Sequence, residues 1–183
     1  MSDTARLLQA LQFSAERHRN QRRKDRGASP YINHPIEVAT VLATVGSVSD
    51  LTTLIAAVLH DTIEDTATTG DELEQAFGHE VRLLVEEMTD DKQLKKEERK
   101  RLQIEHARTA SHRAKLIKMA DKICNVRDVT HAPPDGWSVE RRREYLDWTE
   151  QVVAGCRGAS ATLERYYDTV LGDGRRALTA PAP

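Results

Sequence analysis

The chain has only two cysteines in 183 residues, Cys124 and Cys156. No CxxC spacing surrounds them, which argues against a disulfide framework or a zinc knuckle. No stretch approaches the roughly 20 apolar residues of a membrane span, and the start, MSDTARLLQALQF, lacks the basic opening and long apolar run of a secretory signal. Aromatics reach only 4%, and nine glycines with six prolines are few for a turn-rich β-sandwich. A net charge of −2 argues against a general nucleic-acid binder, although it leaves room for a local basic pocket. What remains is a cytoplasmic enzyme or binding protein built from helices, with enough chain for one proper core.

Helical periodicity runs through most of the sequence. Residues 3 to 18 place Leu7, Leu8, Leu11 and Ala15 at helical spacing. A basic, loop-like stretch follows, with Gly27, Ser29 and Pro30 breaking the period before a helix resumes at Pro35. Asp50 is a natural N-cap for a helix whose apolar face runs Leu51, Leu54, Ile55, Val58, Leu59 and on to Thr62. A short helix opening at Gly70 or Asp71 and ending near Phe77, then HEVRLLVEEM, come next. The charged stretch DDKQLKKEERKRLQIEHA reads as a solvated helix or a loop leading into one, and residues 113 to 129 return to the core. After the turn HAPPDGW, Ser138 caps a long helix with a buried stripe of Tyr145, Trp148, Thr149, Val152, Val153 and Cys156. The expectation is an all-α bundle forming one domain over residues 1 to 171. A disordered tail over 172 to 183, too short for another domain, completes it.

One segment conflicts with stability alone. The oily run LIAAVL ends in HDTIED, which brings an imidazole and three carboxylates, His60, Asp61, Glu64 and Asp65. Ionisable groups beside a core are costly unless something binds them, and carboxylates late in a helix oppose its dipole. A cation resolves both problems. His34, His60, Asp61 and Asp121, each beside apolar helix residues, form a candidate ligand set. Any one of them alone is more often a hydrogen-bonded core residue or a cap than a ligand. Two imidazoles and two carboxylates suit Mn²⁺, Fe²⁺, Co²⁺ or Zn²⁺ rather than Ca²⁺ or Mg²⁺, and six-coordination would leave two open positions.

The order His34, His60-Asp61, Asp121 resembles the signature of the HD superfamily of metal-dependent phosphohydrolases. The segments GASPYINHPIEVATVLA, AAVLHDTIEDTATT, FGHEVRLLVEEMTDDK and AKLIKMADKICNVRD resemble the hydrolase half of RelA/SpoT enzymes. Thr89-Asp90-Asp91-Lys92 is similar to the single-domain small alarmone hydrolases, metazoan SpoT homologues among them, more than to the long enzymes.

The resemblance implies an HD-domain bundle around one metal ion, Mn²⁺, that removes the 3′-diphosphate of (p)ppGpp and releases pyrophosphate. It implies Glu64 and Asp65 as the catalytic pair, Arg23 on the nucleotide, Lys24 on a phosphate and Asn125 on ribose or phosphate. Lys96, Arg141 and Tyr145 are further candidates for substrate contact. Arg141 and Tyr145 stand four apart on one helix and suit a far phosphate, or else belong to the surface and the buried stripe. Three other readings stay open: an adenosine-alarmone hydrolase, an NADPH 2′-phosphatase with the same site, and a non-catalytic nucleotide-binding module. Oligomeric state is not legible.

Overall fold

The computed structural model describes residues 1–179, and every element in it is a helix. In chain order these are α1 (Asp3–Arg17), α2 (Asn33–Thr44), α3 (Leu51–Leu59), α4 (Thr62–Asp65) and α5 (Gly70–Phe77), followed by α6 (His79–Met88), α7 (Lys96–Thr109), α8 (His112–His131), α9 (Val139–Cys156) and α10 (Ala161–Thr179). The only extended pairing among the described residues is an isolated bridge between Arg22 and Pro30, which pins the loop between α1 and α2.

Side-chain caps set several boundaries. Asp50 accepts from the Thr53 N–H at 3.0 Å, Ser111 from Ala114 at 3.2 Å and Ser138 from Arg141 at 3.2 Å. At the start of α5, Thr69 and Glu72 satisfy each other's backbone N–H groups in a capping box. Each such cap is worth about 1 kcal/mol.

The core is built around α3 and α8. Ile55, Ala56, Ala57, Val58 and Leu59 are fully buried, because α1, α2, α6 and α8 all pack against α3. Helix α8 is in turn flanked by α2, α9 and α10 and buries Leu116, Ile117, Met119, Ala120, Ile123 and Cys124. Helix α7, read from the sequence as a solvated strip, lies on α9 and buries Ala107. Gly155 permits this approach, since a Cβ there would sit 2.9 Å from the Ala107 Cβ.

Two expectations are corrected. The periodic run from Leu51 to Thr62 is not one helix: α3 stops at Leu59, and a new turn, α4, begins at Thr62. The Thr62 hydroxyl donates to the Leu59 carbonyl at 2.7 Å, competing with the backbone ladder there. The segment assigned to a disordered tail is helical over 172 to 179 as the end of α10, and residues 180 to 183 lie outside the described residues. Two helical glycines cost about 1 kcal/mol each, but tertiary packing offsets them. Tyr167, Leu171 and Leu178 are buried, and Gly174 sits so close to α8 that a Cβ would lie 2.7 Å from the Thr130 hydroxyl.

Candidate active site

The break between α3 and α4 is where the site begins. In an uninterrupted helix, adjacent side chains diverge by about 100°. Here the His60 Nε2 and the Asp61 Oδ2 lie 3.1 Å apart. The His60 Nδ1 donates to the Ala57 carbonyl at 2.7 Å, which leaves Nε2 as the nitrogen that faces the cluster. That Nε2 is buried and has no hydrogen-bond partner, because the Asp61 oxygen stands off the hydrogen-bonding line. A buried nitrogen without a partner, beside a carboxylate, is what a cation would relieve.

The other donors arrive from distant elements. His34, in the first turn of α2, places Nε2 at 3.0 Å from the Asp121 Oδ1 of α8 and 4.0 Å from the Asp61 Oδ2. His60 Nε2 lies 3.9 Å from the same Asp121 oxygen. One ligand atom from each of His34, His60 and Asp121 falls within 4.8 Å of the others. Two atoms each about 2.1 Å from one ion are separated by about 3.0 Å when adjacent and about 4.2 Å when opposite. The observed spacings match that range, and the mixed nitrogen and oxygen set fits a divalent ion.

Electrostatics point the same way. Burial depresses the His60 imidazolium, but the Asp61 and Asp121 carboxylates outweigh it and push its pKa up to about 9. Burial works against the Asp121 carboxylate, yet Lys122, His34 and His60 hold it well below the usual range. Glu64 behaves oppositely. Burial, with Asp90, Asp61 and Asp65 nearby, outweighs the Asp90 N–H donated at 3.1 Å and raises the carboxyl to about 7.

A cleft opens from this cluster. Its inner chamber, about 260 Å³, is walled by the four ligand candidates, Glu64, and residues of α7, α8 and α9. An outer chamber of about 730 Å³ shares Arg23, Tyr31, Lys96, Arg99, Asn125 and Tyr145 with it. The two late carboxylates divide between the chambers. Glu64 faces the inner one, while Asp65 lines the outer one and accepts from Gln21 at 2.8 Å and from Lys92. A separate open groove of about 870 Å³ between α1 and α5 borders none of the ligand candidates.

The substrate-contact candidates all line the cleft, in differing states. Lys24 faces the outer chamber alone, and Lys96 borders both. Arg23 is ion-paired with Asp128 and lies over the Tyr31 ring at 5.7 Å. Arg141 stacks on Trp137 at 4.3 Å, and Tyr145 packs edgewise between Trp137 and Trp148. Asn125 lines both chambers. Its amide also donates to the Asp121 Oδ1 at 2.6 Å, so it steadies a ligand candidate as well.

Several residues escaped the sequence reading. The Tyr31 hydroxyl donates to the Asp61 Oδ2 at 2.6 Å; burial and the Asp61 and Asp65 charges drive its pKa far above the ordinary value, so it stays a donor. Lys122 donates to the Asp121 Oδ2 at 2.8 Å. His18 is buried, stacks on Tyr31 at 4.8 Å and joins Gln21 at 2.7 Å. Spacing could have flagged one of these: Tyr31 stands three before His34.

Comparison with known proteins accords with this arrangement. The family profile described as HD domain matches residues 10–149. The guanosine-3′,5′-bis(diphosphate) 3′-pyrophosphohydrolase MESH1 of Xenopus tropicalis is 52% identical over 172 residues, covering 94% of this chain and 96% of that protein. The Homo sapiens protein of the same name is 54% identical over 163 residues, 89% of this chain and 91% of its own length. A solved structure described as a metazoan ortholog of SpoT that hydrolyzes ppGpp superposes with a TM-score of 0.90 at 47% identity, covering 95% of this chain and 97% of its own. With its ligand candidates gathered from α2, the α3–α4 junction and α8, this chain belongs to the HD-domain family and, within it, to the group of the metazoan SpoT-like MESH1 proteins.

Proposed function

We propose that this chain is a divalent-metal-dependent hydrolase of guanosine 3′,5′-bispyrophosphate and its 5′-triphosphate form, with manganese as its ion, that releases pyrophosphate and leaves GDP or GTP respectively. The observation carrying the proposal is the convergence of His34, His60, Asp61 and Asp121 at the inner end of a cleft whose walls are mainly cationic. Arg23, Lys96, Arg99, Lys100, Lys118 and Lys122 line the inner chamber against Asp61, Glu64, Asp90 and Asp121. Six bases facing four acids, before any metal is counted, favour a substrate bearing several phosphates. Relatives named for this reaction, and similar over nearly their whole length, support the same reading.

A bound divalent ion supplies Lewis acidity: it polarises a phosphoryl oxygen and lowers the pKa of water from about 15.7 towards 7. The protein's side chains do the rest. Glu64, with a carboxyl near 7 on the inner wall, is matched to accept the proton of the attacking water. Asp65, held on the nucleoside side by Gln21 and Lys92, is suited to manage the proton that ends on the departing O3′. The roomier outer chamber suits the nucleoside, with Arg23 over Tyr31, Arg141 on Trp137, and Lys24 and Lys96 offering point charges to phosphate. Free, buried Cys124 and Cys156 suit a reducing compartment, and the cytoplasm is the proposed location.

The test is pyrophosphate release from ppGpp by the manganese-loaded chain, with ppApp and NADPH assayed in parallel at equal concentration. Asp61→Ala is expected to abolish turnover while circular dichroism reports an unchanged fold. Retained turnover in that variant would overturn the assignment.

A further inference from the structure

Outside the metal cluster, one buried ionisable side chain has no part in the mechanism above. His18 closes α1 as its C-cap, and only 2% of it is exposed. Its Nδ1 lies 2.7 Å from the Gln21 Oε1, and the Gln21 Nε2 lies 2.8 Å from the Asp65 Oδ2. The chemistry of the three groups fixes the direction of this chain. An ionised carboxylate only accepts, so the amide nitrogen of Gln21 faces Asp65 and the amide oxygen faces His18. An amide oxygen also only accepts, so the His18 Nδ1 is the donor. Turned the other way, the amide would set its oxygen against the Asp65 carboxylate.

The backbone leaves Gln21 little other freedom. Its N–H donates to the His18 carbonyl at 2.9 Å, and its carbonyl accepts from the Tyr31 N–H at 3.2 Å. What stays free is the side chain, and the His18 imidazole restrains it at the amide. Asp65 has one further partner, Lys92, but that side chain is half exposed on the loop between α6 and α7, where solvent weakens an ion pair. The His18 ring also stacks on Tyr31 at 4.8 Å, and the Tyr31 hydroxyl donates to Asp61. One imidazole thus carries two separable tasks: a face that packs on Tyr31, and an edge that aims Gln21.

We infer that His18 is a positioning residue for the hydrolysis, acting through the Gln21 amide to hold the Asp65 carboxylate at the wall of the outer chamber. Gln21 and Asp65 line that chamber together. The inference rests on the hydrolase reading, in which Asp65 handles the proton that ends on O3′ as the P–O3′ bond breaks. A carboxylate displaced by about 1 Å loses that alignment, and a misplacement of this size costs up to about 100-fold in rate. Neither His18 nor Gln21 touches a ligand candidate's metal-facing atoms, so the loss falls on kcat.

The test is a double-mutant cycle on the manganese-loaded chain. His18→Phe keeps a ring against Tyr31 but has no Nδ1–H, and Gln21→Met keeps the length but cannot donate. Thermal melts check the folds, and His18→Leu takes the place of His18→Phe in the cycle where the larger ring does not fold. Each single variant should lose about tenfold or more in kcat for ppGpp, with KM and Mn²⁺ affinity within about threefold of the parent. The double variant should be no slower than Gln21→Met alone, because His18 acts through that amide. Losses that multiply in the double variant, or a parent-like kcat in the folded His18 variant, overturn the inference. Failure of the hydrolase reading is a separate outcome, a parent that turns over none of ppGpp, ppApp and NADPH. There the proton resonances of the Gln21 side-chain amide, assigned by their absence from Gln21→Met, decide. An upfield move in the folded His18 variant upholds the His18–Gln21–Asp65 chain and refutes only the reaction; unmoved resonances overturn both.

Discussion

Replacing Tyr31 by phenylalanine isolates one hydrogen bond that the ligand arrangement depends on. The phenol donates to the Asp61 Oδ2 at 2.6 Å, the same oxygen that approaches the His60 and His34 nitrogens at 3.1 and 4.0 Å. The ring keeps its packing on His18 and His34 in the variant, because only the hydroxyl is lost. A hydrogen bond to a charged, buried acceptor is worth about 1.5–3 kcal/mol. That corresponds to a loss of about 10- to 100-fold in metal affinity, the range usual for groups that orient metal ligands. Calorimetric titration of Mn²⁺ into the chelator-stripped protein measures it directly, with a melt of the ion-free protein as the control for fold. A Tyr31→Phe dissociation constant within about twofold of the parent would mean that Asp61 is held by other groups or does not reach the ion.

Further outcomes follow from the same geometry. Glu64 has a folded carboxyl pKa near 7 against an ordinary 4.5, so its ionisation opposes folding, and that penalty grows as pH rises from 4.5 through 7. Glu64→Gln should therefore raise the melting temperature of the ion-free protein at pH 8, leave it nearly unchanged at pH 4, and abolish turnover. A variant that melts identically at both pH values contradicts the raised pKa. Leu178→Ala should cost about 2–5 kcal/mol in urea unfolding, since the Leu178 side chain is buried; a loss below about 0.5 kcal/mol would return 172–179 to the status of a dispensable tail. Gly155→Ala should cost about 1–3 kcal/mol through contact with Ala107. It should also raise KM for ppGpp by lifting α7, which carries Lys96 and Lys100.

The helices were legible wherever local chemistry decides. Asp50 and Ser138 cap where their side chains permit, and HEVRLLVEEM spans α6 from end to end. The ligand candidates were legible because ionisable residues beside apolar helix turns violate the rule that buried charge needs a partner. The break at His60–Asp61 was not legible, since the apolar period continues unbroken to Thr62 and only the Thr62 hydroxyl and the His60 ring redirect the backbone. The end of α10 was missed for a related reason. GDGRR has poor helix propensity, and the packing of Gly174 and Leu178 against other helices overrides it.

By itself, then, the amino-acid order determined the helical class, most caps, and the identity of the residues suited to hold a cation. Residues 34, 60, 61 and 121 are named by their chemistry, and chemistry is local. Only the tertiary structure decided that Asn125 turns to Asp121, that Glu64 and Asp65 part into different chambers, and that Lys122 comes to rest over Trp148 while donating to Asp121. Those outcomes depend on which helix faces meet. Meeting faces are set by packing summed over the whole core, a quantity no short stretch of sequence contains.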